Sequence, residues 1–92
     1  MLRKKWPRRV IGDDFEIRVG GRGSILYLEN EKNIEVNSEY SYDGCIVVYE
    51  SYIRKWDFPY DNEIIDDVKR NKILKNIKDA LQFRKVNIEI QP

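Results

Sequence analysis

Histidine is absent from this 92-residue chain, and cysteine occurs only once, as Cys45. The absence of histidine removes the commonest general base and metal ligand and excludes every Ser-His or Cys-His catalytic pair. A single cysteine allows neither an internal disulfide nor a cysteine-based zinc site. We therefore expect no metal, no cofactor and no catalytic residues, and interpret the chain as a protein that is not an enzyme.

Long apolar runs are also missing. No stretch approaches the roughly 18 apolar residues that cross a membrane, and no secretory-type apolar segment follows the basic amino end. The sequence thus predicts a cytoplasmic protein with no membrane partner. The composition, with 41% hydrophobic and 36% charged residues, is typical of a single small globular domain.

The net charge of +1 conceals an uneven distribution of charged residues. Residues 1–11 carry five basic and no acidic side chains, residues 12–67 carry 14 acidic and five basic ones, and residues 68–92 carry seven basic and two acidic ones. We interpret residues 1–11 as a frayed basic arm that precedes a domain over residues 12–92. The acidic middle of the chain predicts attraction to a cationic partner.

Hydrophobic periodicity predicts an α+β fold. Segments with strand character occupy residues 15–19, 24–29, 34–36, 45–49 and 86–90. Short connections, including the turns at Gly20–Gly23 and Asp43–Gly44, favour an antiparallel meander of the first four strands. We predict a mainly antiparallel five-stranded sheet in the order β-β-β-β-α-β, with one carboxyl-terminal helix packed on it.

The helix is predicted to begin after Asp66, which is a suitable N-cap, and to carry Arg84 and Lys85 in its last turn. Its apolar face is expected to consist of Ile73, Leu74, Ile77, Ala80 and Leu81. Its lysines, at positions 69, 72, 75 and 78, lie largely off that face.

The segment from residue 51 to residue 61 joins the fourth strand to the helix and is rich in large side chains. Tyr, Trp and Arg dominate the energetics of protein–protein interfaces, because they combine rigid area with directed polar groups. We expect the Trp56 ring to lie against the core, and Tyr60 and Asp61 to face solvent. The candidate partner-binding residues are Arg54, Trp56, Asp57, Pro59, Tyr60 and Asp61.

The same segment resembles the immunity protein 74 family. The resemblance rests on the stretch Trp56-Asp57-Phe58-Pro59-Tyr60-Asp61, followed by Glu63-Ile64-Ile65, the helix and an isoleucine-rich final strand. Ser51-Tyr52-Ile53 differs slightly from the start of the family pattern, and Phe58 stands where a second proline is common. The resemblance extends over residues 44–91.

This resemblance implies a function. Members of the family are small bacterial proteins predicted to neutralise toxins of polymorphic toxin systems, and they are usually encoded beside the toxin. The resemblance therefore implies that this chain binds and inhibits a cognate toxin by protein–protein interaction. A basic nuclease domain is a partner that the acidic middle of the chain would capture rapidly.

Two other interpretations remain open. The basic cluster from Arg3 to Arg9, together with the helix lysines, could contact phosphates, which would make the chain a small nucleic-acid-binding regulator. The acidic middle argues against nucleic acid as a partner. Alternatively, a protein partner could contact the acidic strand residues Glu29, Glu31, Glu35 and Glu39 instead of the segment from 51 to 61.

Overall fold

The computed structural model describes residues 3–5, 9–20, 24–36, 38–40 and 44–92. Within these ranges the chain forms eight strands, one α-helix and a short 3-10 helix over Glu50–Tyr52. The strands are β1 (Arg3–Lys5), β2 (Arg9–Ile11), β3 (Glu16–Val19), β4 (Ile25–Glu29), β5 (Lys32–Val36), β6 (Ser38–Tyr40), β7 (Ile46–Tyr49) and β8 (Ile88–Gln91). The helix α1 spans Asp67–Phe83.

Strands β1 to β5 form an antiparallel sheet in sequence order. The register places Tyr27 of β4 opposite Ile17 of β3 on one side and Ile34 of β5 on the other. All three side chains are buried, because alternation along a strand directs every second residue to the same face. The two-residue turn between β4 and β5 has Asn30 in the left-handed region, with φ of 57°, which Asn tolerates well.

A second sheet has the order β6-β7-β8. Strands β6 and β7 are antiparallel, whereas β7 and β8 are parallel and pair Ile46 with Ile88 and Val48 with Ile90. A parallel pair needs a long crossover connection, which here contains the candidate segment and α1.

The helix contributes the largest single part of the core. Its N-cap Asp66 accepts a hydrogen bond from the Lys69 backbone N–H at 2.8 Å, as predicted. The five predicted apolar residues of its face are all buried in one cluster with the apolar residues of β2, β3, β4, β5 and β7. The predicted basic last turn is wrong, because α1 ends at Phe83 and Arg84 is its C-cap.

The α+β class and the carboxyl-terminal helix are confirmed, but the single five-stranded sheet is not. The five predicted strands are divided between two sheets, and the last two pair in parallel. Periodicity identifies which face of a strand is buried but not which strand lies beside it, so it could not reveal this division. Strand β6 also lacks apolar alternation, and the sequence did not separate it from the predicted strand that Ile34 and Val36 lead.

Strands β1 and β2 lie within the predicted basic arm and extend the first sheet, and Val10 of β2 is buried. The boundary at residue 12 stays a prediction. Some predicted features lie outside the described residues, namely Trp6, Pro7 and Arg8 of the basic cluster, residues 21–23 of the glycine turn, and Asp43 of the Asp43–Gly44 turn.

Candidate functional site

Trp56 anchors the candidate segment in the core. Its side chain is only 3% exposed, and its ring stacks on that of Tyr27 with 6.3 Å between centroids and 26° between planes. The Lys32 ammonium lies 5.9 Å from the Trp56 ring centroid, within the range of a cation–π interaction. The expectation that the Trp56 ring lies against the core is confirmed, and the segment is therefore fixed at its centre.

Asp57 joins the segment to the outer edge of β5. Its backbone N–H donates to the carbonyl oxygen of Asn33 at 2.9 Å, and its carboxylate Oδ2 accepts from the Glu35 N–H at 3.0 Å. β5 is an edge strand, so its outward N–H and C=O groups would otherwise need solvent as their partner. Asp57 thus satisfies one donor and one acceptor of this edge and locks the segment beside it.

Tyr60 ties the far end of the segment to the β4–β5 hairpin. Its hydroxyl donates to Glu31 Oε2 at 3.2 Å, and its ring lies 5.7 Å from the Lys32 ammonium. Lys32 also pairs with Glu63 at 2.5 Å. The expectation that Tyr60 faces solvent is wrong, because its ring packs partly against the core, whereas Asp61 is exposed as expected.

Backbone contacts close the segment into a loop before α1. Lys55 and Ile64 form an isolated antiparallel bridge, and the Ile65 N–H donates to the Arg54 carbonyl at 2.7 Å. The Arg54 Nε donates to the Ser51 carbonyl at 2.8 Å, which orients its guanidinium. The side chains of Arg54 and Lys55 nevertheless remain exposed. They form a basic ridge on the surface, here called the Arg54–Lys55 ridge.

A cleft of about 620 Å³ opens between this loop and β5. Two exposed aromatic residues line it: Phe58, which is 83% exposed, and Tyr52, which is 55% exposed. Tyr52 also meets Tyr49 edge-on, with 6.0 Å between ring centroids. Phe58 precedes a cis peptide bond to Pro59. The acidic residues that line this aromatic cleft are Glu35, Asp57 and Asp61.

The six predicted site residues therefore lie in one loop but in different environments. Arg54, Pro59 and Asp61 are exposed, Asp57 and Tyr60 are half-buried, and Trp56 is buried. Phe58 and Tyr52 are the most exposed aromatic side chains of the loop and were not among the predicted residues. No local signal distinguished Phe58 from Trp56, because both are large aromatic side chains in the same segment and only the fold shows which of them is buried.

A buried polar network lies behind the loop. Glu29 is buried, accepts a hydrogen bond from the Tyr27 hydroxyl at 2.7 Å, and forms an ion pair with Lys69 of α1. The same Tyr27 hydroxyl accepts from the Asn76 amide at 3.0 Å. Burial is the main cause that raises the pKa of Tyr27 well above its ordinary range. The proposal of Glu29 as part of an acidic binding surface is wrong, because its carboxylate is buried and forms an ion pair with Lys69 that links α1 to the sheet.

Three of the four helix lysines proposed for nucleic-acid contact have acidic partners within the chain. Lys69 pairs with Glu29, Lys72 with Asp14 at 3.1 Å, and Lys75 with Asp79 at 2.9 Å. Ion pairing reduces the positive potential that these lysines would offer to phosphates, which weakens the nucleic-acid interpretation.

Within the described parts of the chain, no group of three or more His, Cys, Asp or Glu side chains is arranged to hold a metal ion. Nor is any helix within the described ranges long and apolar enough to cross a membrane. What the loop does offer is a firmly held aromatic and charged surface.

Together, the fold and the loop define a small α+β protein whose most prominent surface has the residue types of a protein-binding site. The family model for immunity protein 74 matches residues 16–91, and the chain belongs to that family. This confirms the resemblance carried by the segment around Trp56. The family implies an immunity protein whose partner is a toxin. Comparison with the curated proteins and with the solved structures gives no significant match.

Proposed function

We propose that this chain neutralises one cognate bacterial toxin domain by binding it in the cytoplasm, without catalysis, through the aromatic cleft and its rim. Family membership supports a toxin as the partner. The observation that carries the proposal is Phe58, which is 83% exposed on a loop whose neighbouring residues are locked to the sheet. A large apolar side chain on a fixed backbone costs less conformational entropy to bury against a partner than one on a mobile loop.

The predicted site residues then divide into two roles. Trp56, Asp57 and Tyr60 hold the loop through the stacking and hydrogen bonds described above. Arg54, Pro59 and Asp61 are exposed and available to touch the toxin, as are Phe58 and Tyr52. Substitution of a residue in the first group should damage folding and binding together, whereas substitution in the second should damage binding alone.

The charge of the cleft supports a basic toxin surface as its partner. Glu35, Asp57 and Asp61 line the cleft and outnumber its two cations, Arg54 and Lys55, and Glu31 lies exposed on the adjoining hairpin. Nuclease domains must approach phosphate and often carry positive charge, so a toxin nuclease would suit this surface. Such complementarity accelerates association more than it increases affinity.

The test is to co-express the toxin domain encoded beside this chain with wild type, Phe58→Ala and Asp61→Ala, and to measure toxin affinity with purified proteins. Phe58→Ala should weaken toxin binding by more than about 1 kcal/mol, chiefly through faster dissociation, and leave the melting temperature unchanged. Asp61→Ala should also weaken binding without unfolding the protein.

Phe83→Ala is the matched control, because Phe83 is a half-exposed phenylalanine at the end of α1, outside the cleft. It should protect cells as wild type does. If wild type protects cells and both Phe58→Ala and Asp61→Ala bind the toxin as tightly as wild type, the binding surface lies outside the cleft. A wild-type protein that neither binds nor protects would remove the proposed function altogether.

A further inference from the structure

A second hollow adjoins the aromatic cleft and has the opposite charge. It has a volume of about 560 Å³ and is lined by Arg54, Lys55, Ile64, Ile65 and Arg70. Arg54 and Lys55 also line the cleft, so the Arg54–Lys55 ridge is common to both surfaces. The lining residues of the hollow are thus three cationic and two apolar side chains, with no carboxylate among them.

The apolar part of this hollow faces water in the free chain. Ile64 is 81% exposed although its backbone is fixed by the bridge to Lys55, and Ile65 beside it is buried. Ile64 thus lies exposed beside cationic side chains on a fixed backbone, outside the apolar cluster of the core. Exposed apolar groups with a polar rim are typical of interaction sites.

The cations of the hollow retain capacity for an anionic ligand. Lys55 forms no ion pair within the described ranges, and Arg54 uses only Nε on the Ser51 carbonyl. Arg70 shares its charge with Asp67. A carboxylate approaching from solvent would therefore meet at least one unpaired ammonium and one guanidinium with free N–H groups. Guanidinium groups bind carboxylates through paired hydrogen bonds, which also fixes orientation.

We propose that this hollow is a second contact site for the toxin and takes a segment in which a carboxylate lies next to a large apolar side chain. The inference rests on the proposed function, since it gives the same partner two contacts. Because the Arg54–Lys55 ridge is shared, a toxin that covers the aromatic cleft and its rim also reaches the edge of the hollow. The different charge of the two surfaces favours one orientation of a partner with complementary charges, so the pair contributes to specificity.

The experiment measures affinity for the toxin domain encoded beside this chain, with two substitutions in the hollow and one matched control for each. Ile64→Ala removes the exposed apolar group, and Val68→Ala makes a similar change at a residue 80% exposed on α1 but not in the hollow. Lys55→Glu reverses a charge on the ridge that the hollow shares with the aromatic cleft, so Ile64→Ala is the change that lies outside the cleft. Lys78→Glu reverses a charge on an exposed residue of α1, about 12 Å along the helix axis from Arg70.

Ile64→Ala and Lys55→Glu should each raise the toxin Kd at least about fivefold, whereas both controls stay within about twofold of wild type. The loss in Lys55→Glu should shrink at high salt, because it is electrostatic, and that in Ile64→Ala should persist. All four changes are at exposed positions, and unchanged melting temperatures would show that folding is intact.

Three results overturn the inference, and they are distinguishable. If wild type binds the toxin and the hollow variants have the same toxin affinity as their controls, the hollow is not part of the interface. The proposed function would be unaffected by that result. Binding of a free fatty acid such as decanoate in the hollow, with toxin affinity unaffected by the variants, would assign the hollow to a small apolar acid. Failure of wild type to bind the toxin would overturn both proposals.

Discussion

Asp57 shows how one side chain can substitute for part of a strand. Its backbone N–H and its carboxylate engage Asn33 and Glu35, two residues apart on β5, where a neighbouring strand would have placed its own carbonyl and amide. A short side chain with an acceptor oxygen can reach a nearby backbone N–H in this way, which is why Asp and Asn are common where a loop meets a backbone. Asp57 therefore contributes to stability mainly through its two hydrogen bonds to β5, and less through its negative charge.

Replacement of Asp57 tests this role. Asp57→Ala should lower the free energy of unfolding by about 1–2 kcal/mol, because the Glu35 N–H and the loop lose a charge-assisted hydrogen bond at a half-buried site. Asp57→Asn keeps an acceptor and should recover much of the loss. Urea denaturation measures both, with exposed Asp61→Ala expected within about 0.5 kcal/mol of wild type. Equal stability of all three variants would show that the docking contact contributes nothing.

Single residues were predictable from sequence where a local rule decides their position. Asp66 was recognisable as an N-cap because the rule concerns the residues that immediately follow it. Tyr60 and Glu29 were not, because their environments are made by Glu31 and Lys69, which are 29 and 40 residues away. Sequence shows that such side chains are polar or aromatic, and only the fold shows which partner is close.

At the scale of elements, α1 carries the most stringent prediction about the core. Ile77 is fully buried at the centre of its apolar face, so Ile77→Ala removes several buried carbon atoms and leaves a cavity. We expect a loss of about 2–5 kcal/mol, a large share of the stability of a small domain. Lys78→Ala, at the adjacent exposed position, should have little effect. Similar melting temperatures for the two variants would contradict the assigned face.

The cross-strand pair between β2 and β3 should make stability depend on pH. The Arg9 guanidinium donates to both Glu16 carboxylate oxygens, at 2.8 and 2.9 Å, and lowers the pKa of Glu16 in the folded chain. A lowered folded-state pKa means that this contribution is present above the ordinary glutamate pKa of about 4.3 and is lost as the pH falls below it. The difference in free energy of unfolding between wild type and Glu16→Gln should therefore decrease as the pH falls from about 6 to about 3.

Denaturant unfolding at several pH values measures that difference. Subtracting the variant isolates Glu16, because every other carboxylate is present in both proteins. Arg18 also donates to Glu16, at 2.5 Å, so a difference that stays constant over the acid range would show that neither arginine contact with Glu16 stabilises the folded state.

The elements themselves were predictable more reliably than their arrangement. Alternation identified β3 and β8, the glycine turn indicated β4 as the returning strand, and a nearly continuous apolar run indicated β7, each within a few residues. The parallel pairing of β7 with β8 left no such trace. It depends on α1 covering the sheet while the chain returns, a constraint over some forty residues that periodicity does not record.

The whole molecule combines an acidic middle with basic flanks, and this distribution should govern how it meets its partner. If the toxin surface is basic, the association rate should fall steeply between about 0.01 and 1 M salt, as the Debye length drops from about 30 to about 3 Å. Stopped-flow mixing with the toxin measures this rate. The dissociation rate should change much less, because the aromatic contacts are not screened.

A rate that is insensitive to salt would contradict electrostatic capture while leaving binding itself intact. Salt-sensitive binding to DNA or RNA, in place of toxin binding, would instead support the nucleic-acid interpretation.

The loop at the centre of the proposed interface divides its tasks between adjacent residues. Trp56 and Asp57 belong to the fold, whereas Phe58 and Asp61 face outward and contribute little to it. Substitutions at the outward positions should therefore change toxin recognition at almost no cost in stability. A lineage carrying this loop could follow a diverging toxin by single substitutions, each of which leaves a folded protein. The anchoring residues would meanwhile keep the evolving surface in place.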